Sequence, residues 1–197
     1  MNNTQDDIYK TSDDLTEHLE ILDRWGDKTG KTKHRKQILL EAEWHASSHI
    51  YIVNNKNQVL LQRRSLKKLI LPGLLACPVG GHIKYMSSPV NTAVQEAKEE
   101  LGLTIKANDL NYLGIGRGTF DTNPQLALHE REFIYVFIFD SEIEFDLNIK
   151  NDEVEGLIWF DHETFRSMVN NKSEELIPTW ICYEMVLDYI ENLKGKL

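Results

Sequence analysis

Glu96, Glu99 and Glu100 stand at spacings that a helix, turning about 100° per residue, would gather along one edge. On that helix Ala93, Val94, Ala97 and Leu101 share the adjoining arc, which can pack on a sheet. Like charges at these spacings repel by about a few tenths of a kcal/mol per pair, and no Lys or Arg stands at the matching positions to neutralise them. A divalent cation would. Mg²⁺ takes hard oxygen ligands at about 2.1 Å, keeps several waters, and is commonly shared between a few carboxylates and phosphate oxygens. A solvated acidic helix face has the same spacing, but the Gly80-Gly81 pair upstream permits close backbone approach and favours the cation. The expected chemistry is therefore a hard divalent cation such as Mg²⁺ held by these carboxylates, with phosphate oxygens as its natural further ligands.

The elements that would position these residues are legible around them. Ser88 can cap a helix, Pro89 suits its first turn and Gly102 supplies a left-handed stop, which predicts a helix over 89–101. His49 to Val53 and Val59 to Gln62 read as a hairpin around Asn54-Asn55-Lys56-Asn57. Pro72-Gly73 breaks the chain, and residues 78–88 read as a loop feeding the helix. Phe133 to Phe139 is an apolar run suited to a strand buried on both faces, and Leu157 to Phe160 is a shorter one. Asp161 caps a helix through Val169, and Glu174 to Leu193 carries apolar residues at broadly helical spacing. Leu15 to His34 fits either a helix face or strands with a turn, so local pattern leaves it open. The order suggests an α/β (α+β) arrangement, a mixed β-sheet with helices packed on it, without internal repeats.

The 197 residues, 41% of them hydrophobic, suffice for one core, so a single domain over 15–197 is expected, preceded by an unstructured polar tail over 1–14. No apolar run approaches the roughly 18 residues of a membrane span, and the N-terminus has no leader pattern. A cytoplasmic, membrane-free protein is the expectation. Cys77 and Cys182 are too few for a disulfide framework and read as ordinary buried thiols. With 22 Lys and Arg against 31 Asp and Glu, the formal charge of −9 argues against nucleic acid as a partner. An anionic ligand must then be met by local charge or by metal. The oligomeric state, a homodimer included, is open.

Gly81, followed by Gln95-Glu96-Ala97-Lys98-Glu99-Glu100-Leu101-Gly102-Leu103, resembles the Nudix box: a glycine, five residues, Glu, seven residues, then Arg-Glu-U-x-Glu-Glu-x-Gly-U, where U is bulky and aliphatic. The resemblance implies the Nudix fold and assigns metal binding to Glu96, Glu99 and Glu100. Two positions depart from it: Ser87 replaces the first Glu, and Gln95 replaces the Arg that braces the glutamates, which implies weaker metal binding or altered geometry.

Beyond the box, residues 15–165 are similar to the branch holding isopentenyl-diphosphate isomerase and its hydrolase relatives, through Gly30 to Arg35, Trp44-His45, Leu60 to Lys68, Pro72-Gly73, Gly80-Gly81-His82 and Glu130-Arg131-Glu132. That similarity implies strands and a turn over 17–33. It also implies a second metal site drawn from His34, His45, His82, Glu130 and Glu132, and diphosphate contacts at Arg64 and Lys68, with the Gly80-Gly81 backbone beside the substrate. The isomerase uses a cysteine where this chain has Gly80, and Cys77 lies three residues too early to inherit that role. The expected activity is hydrolysis of a small organic or nucleoside diphosphate, Glu100 holding metal and Glu132, or second to it Glu130, serving as general base. A catalytically impaired diphosphate-binding module and an isomerase are the alternatives. Tyr112 to Pro124 and the C-terminal helix are the expected shapers of substrate specificity.

Overall fold

The computed structural model describes residues 11–123 and 127–194. An antiparallel pair, β1 (His18–Leu22) and β2 (Lys28–His34), turns through Gly26 at φ 93° and settles the segment whose pattern was ambiguous. A short helix, α1 (Arg35–Glu41), follows and turns Ile38 and Leu39 inward. At seven residues it is too short for periodicity to reveal.

Seven strands form the main sheet: β3 (His45–Val53), β4 (Gln58–Arg64), β5 (Leu75–Ala76), β6 (Val79–His82), β7 (Asn111–Asn123), β8 (Leu128–Asp140) and β9 (Val154–Asp161). They run in the order β5-β4-β3-β8-β7, with β6 also on β3 and β9 on β4. The β3–β8 pair is parallel and the others are antiparallel. The later halves of these two central strands, Ile50 to Val53 and Phe133 to Phe139, are apolar because successive side chains leave on opposite faces and both faces are covered, whereas their first halves carry His45, His49, Glu130 and Glu132. On one face Ile50, Ile52, Phe137 and Phe139 meet Ala93 and Ala97 of α2 (Pro89–Leu101). On the other, Tyr51, Val53, Ile134, Val136 and Ile138 meet α3 (His162–Asn170) and α4 (Trp180–Lys194) through Phe165, Tyr183 and Val186. The mixed sheet between helices is as expected.

The caps explain the helix bounds. Asn91 N donates to Ser88 Oγ at 3.3 Å, Pro89 opens α2, and Gly102 at φ 68° closes it. Thr164 N likewise donates to Asp161 Oδ1 at 2.9 Å at the start of α3.

Four expectations need correction. Within the stretch 78–88, expected as a loop, Val79–His82 is strand β6 because its backbone pairs with β3 from Ser47 to Ile50, and only the rest connects to α2. Residues 174–179 are not helical: Leu75 N donates to the Glu175 carbonyl and Ile177 N to the Leu75 carbonyl, so this stretch lies along β5, and α4 starts only after Pro178, at Trp180. Tyr112 to Asn123, within the segment expected to shape specificity and given no strand by its pattern, belongs to the 13-residue strand β7; Pro124 lies outside the described residues. Residues 1–10 of the expected tail also lie outside them, but Thr11 to Asp14 are docked on the turn after β4, where the Asp13 side chain is fully buried. Ion pairing outweighs the polar composition that argued against order there.

Candidate active site

Helix α2 lies over β6, and the closeness of that packing is set by Gly81. A β-carbon there would fall 2.4 Å from Glu96 Cδ and 2.5 Å from its Oε1, so the Glu96 carboxyl rests directly on the glycine backbone. One turn on, buried Glu100 accepts from Gln62 Nε2 at 3.3 Å and from Gly80 N at 3.4 Å. Glu99 is exposed and accepts from Gln95 Nε2 at 2.8 Å, so the residue in the place of the family's Arg braces it with a hydrogen bond and no charge. Ser87 Oγ pairs instead with Thr92 Oγ1 at 3.0 Å.

These three glutamates face a cavity of about 380 Å³, lined by nine carboxylates and only four Lys or Arg side chains. The imbalance shows in their acidity. Burial, then the neighbouring Glu99, pushes Glu96 up to about 7. Burial, then Glu96, pushes Glu100 up to about 8. Both effects are relieved by a cation held between them, so the donor set fits a hard divalent metal.

A second group comes from three strands. In the parallel register His45 of β3 stands opposite Glu132 of β8, Glu130 is two residues back on the same face, and His82 of β6 stands opposite Ser47 of β3. One ligand atom from each of His45, His82, Glu130 and Glu132 lies within 4.8 Å of the others. His45 Nε2 and Glu130 Oε2 are buried and 3.4 Å apart, yet neither has a well-formed hydrogen bond, as expected where a cation completes the site. The two carboxyls are driven apart. Against its burial, the imidazole of His45 close by holds Glu130 low, whereas burial and then Glu130 itself raise Glu132. His82 therefore sits in this group, 3.5 Å from Glu132 Oε1 and 3.4 Å from Glu17 Oε2, rather than among the α2 glutamates. His34 is outside it: its ring packs against His18 at 5.2 Å and its Nδ1 meets the Thr16 carbonyl at 2.7 Å.

Arg64 and Lys68 also line the cavity, but neither is idle. Arg64 donates from Nε and Nη2 to the Ile70 carbonyl at 3.2 and 2.8 Å. Lys68 pairs with Asp13 at 2.7 Å and with Glu153. Asp13, Glu17, Arg35, His49 and Lys84 line the cavity as well, and sequence reasoning missed them. Glu17, against its burial, is drawn down to about 2 by the hydrogen bond and charge of His82, then by Arg35 and Lys84. Burial, then His82 and Arg64, keeps His49 neutral, its pKa near 3.

The structure closes the place of the isomerase cysteine. A β-carbon at Gly80 would meet Cys77 Sγ at 3.0 Å and His49 Cδ2 at 3.2 Å, and the buried Cys77 thiol is pushed well above its ordinary range by burial, then by Glu100. Both cysteines are free and buried, as expected.

With this geometry in place, comparison with known proteins is informative. An uncharacterized Nudix hydrolase of Clostridium acetobutylicum is 29% identical over 160 residues, covering 79% of this chain and 75% of that protein. An isopentenyl-diphosphate Delta-isomerase of Escherichia coli is 28% identical over 146 residues, covering 74% of this chain and 78% of the isomerase. Among solved structures, a Deinococcus radiodurans protein superposes with a TM-score of 0.63 at 19% identity, over 86% of this chain and 97% of that one, a likeness of fold. A family model for the NUDIX domain matches residues 43–180. That match spans well over half of the sequence and includes α2 with its three glutamates, and so the chain belongs to the Nudix hydrolase family.

Proposed function

We propose that the protein is a Mg²⁺-dependent pyrophosphohydrolase, able to use Mn²⁺, that cleaves the diphosphate bond of a small organic or nucleoside diphosphate. The observation that carries this reading is the convergence of Glu96, Glu99 and Glu100 on one cavity without an ion pair to any of them among the described residues. Glu96, Glu99 and Glu100 would hold one cation, and His45, His82, Glu130 and Glu132 offer a second site. When bound, such a cation supplies Lewis-acid polarisation of a phosphoryl oxygen and lowers the pKa of a coordinated water.

The chain's own groups do the rest. Arg64 is the cavity cation whose charge faces no carboxylate partner among the described residues, so it is the first contact for a phosphoryl oxygen, with Lys68 beside it. The Gly80 and Gly81 backbone leaves room for close approach of the substrate. Glu132 is the better general base than Glu130, because burial and then Glu130 raise its affinity for protons while His45 lowers that of Glu130.

The departures at Ser87 and Gln95 favour one second reading, a module that binds a diphosphate without turning it over. A panel of nucleoside and organic diphosphates, assayed with and without Mg²⁺ or Mn²⁺, decides between them. We expect metal-stimulated phosphate release that drops at least about 100-fold in Glu100→Gln, the scale lost when a group that stabilises transition-state charge is removed. Calorimetric binding without turnover would select the module; a rate untouched by Glu100→Gln would remove the hydrolase reading.

A further inference from the structure

Asp13 is held as a bound phosphate would be. Its Oδ1 accepts from Lys68 Nζ at 2.7 Å and from Arg35 Nη1 at 3.3 Å, and its Oδ2 from Leu69 N at 2.7 Å and Thr11 Oγ1 at 2.9 Å. Two cations, a backbone amide and a hydroxyl converging on one anion are the chemistry of phosphoryl recognition. The carboxylate is fully buried, yet it lines the acid-rich cavity.

We propose that Arg35, Lys68 and the Leu69 amide form a phosphoryl subsite occupied by the chain's own Asp13, and that a substrate phosphate enters it by displacing that carboxylate. The inference rests on the cavity being a diphosphate site. Three observations support it. Besides Arg64, the first phosphoryl contact, and Lys84, which is paired with Glu17 at 3.4 Å, the cavity's Lys and Arg charge lies in Arg35 and Lys68, and Asp13 is the carboxylate that both of them share. The occupant can also leave. Thr11 to Glu17 contains no helix or strand, and the part around Asp13 is pinned by a few bonds: Ser12 N and Thr11 Oγ1 to the Lys67 carbonyl, both at 3.1 Å, and Ser12 Oγ to the Asp152 carbonyl at 2.8 Å. Finally, this strap and Arg35 lie before residues 43–180, the region that the NUDIX domain model matches. A phosphoryl group, carrying more negative charge than a carboxylate, gains more from the same two cations.

An internal competitor lowers apparent affinity by the fraction of molecules in which the subsite is free, so a plug seated in at least nine of ten molecules hides about a tenfold gain. The test is calorimetric titration of inorganic pyrophosphate in Mg²⁺ buffer into the full-length wild type and Asp13→Asn, which keeps the shape and removes the charge. We expect about tenfold tighter binding in Asp13→Asn, and loss of that gain when Lys68→Met is added. Equal or weaker binding in the folded variant, or binding by neither protein, overturns the proposal and makes Asp13 a structural clamp. If Asp13→Asn fails to fold, hydrogen exchange on the wild type decides: saturating pyrophosphate should speed exchange of the Ser12 amide, and unchanged or slower exchange overturns the displacement. Tightening without turnover of any organic diphosphate would keep the plug and sink the hydrolase reading, so the two fail separately.

Discussion

Replacing Gly81 by alanine should cripple metal binding while leaving the fold intact. The new methyl would stand 2.4 Å from Glu96 Cδ and 2.6 Å from its Cγ, whereas non-bonded carbons settle at about 3.5–4.0 Å, so the carboxyl must retreat by roughly 1 Å or more. It can do so because it is the far end of a side chain that forms no ion pair among the described residues. Gly81 is not among the glycines at positive φ, so alanine is free of backbone strain there and gains about 0.4–1 kcal/mol through the unfolded chain, offsetting the displaced contact. The melting temperature should therefore stay within about 4 °C of wild type, the upper end of the shift that roughly 1 kcal/mol produces in a domain of this size. Activity should not survive as well: a misplacement of this order in a group that positions the reacting centre costs on the order of 100-fold. Calorimetric Mg²⁺ titration, the Mg²⁺ dependence of the hydrolytic rate and a thermal melt together give the answer. A variant that melts normally, and whose Mg²⁺ affinity and rate both stay within about twofold of wild type, would refute the placement of Glu96 at the metal.

Two more expectations concern the same cavity. Glu96 and Glu100 titrate near 7 and 8 in the folded, metal-free chain but near 4.5 when unfolded, so between those limits the folded state binds more protons. Its stability therefore falls as pH rises from about 5 to about 8 in EDTA, and saturating Mg²⁺ should abolish that slope; a melting temperature independent of both pH and Mg²⁺ in this window would contradict the acidities. Asp13 and Glu17, held low by their partners, act in a separate window and withdraw stability only at acid pH. The buried Cys77 and the filled space at Gly80 leave no thiol to donate a proton to an alkene, so isopentenyl diphosphate incubated with metal in D₂O should acquire no deuterium; allylic exchange seen by mass spectrometry would restore the isomerase alternative.

How much of this was legible depends on the range of the interactions. Helix α2 was readable to the residue because Ser88, Pro89 and Gly102 act locally and carry the whole boundary signal. Strand β7 was not, and its glycines explain why. Gly114 and Gly116 occupy positions where a packing strand would normally show apolar side chains, and α4 supplies the missing bulk: a β-carbon at Gly116 would meet Cys182 Sγ at 2.4 Å, and one at Gly114 would meet Met185 Cε at 3.4 Å. The apolar periodicity of β7 is completed by another element, so it is absent from the strand's own text. The start of α4 failed for a related reason, since Leu176 and Ile177 are buried against β5 rather than on a helix face.

The same division runs through the site. Glu96, Glu99 and Glu100 share one helix, and spacing alone gathered them. His45, His82, Glu130 and Glu132 come from three strands, so only resemblance could group them, and it carried His34 along where the β1–β2 pairing holds it outside. Asp13 and Arg35 belong to no pattern at all, being joined across 22 positions by charge alone. Together these residues make a cavity whose carboxylates outnumber its Lys and Arg side chains nine to four, an environment that repels a bare diphosphate. Capture must then draw on cations brought from solution, on Arg64, and on charge released when Asp13 gives way. These sources are separable, because metal can be titrated while the strap is held fixed by mutation.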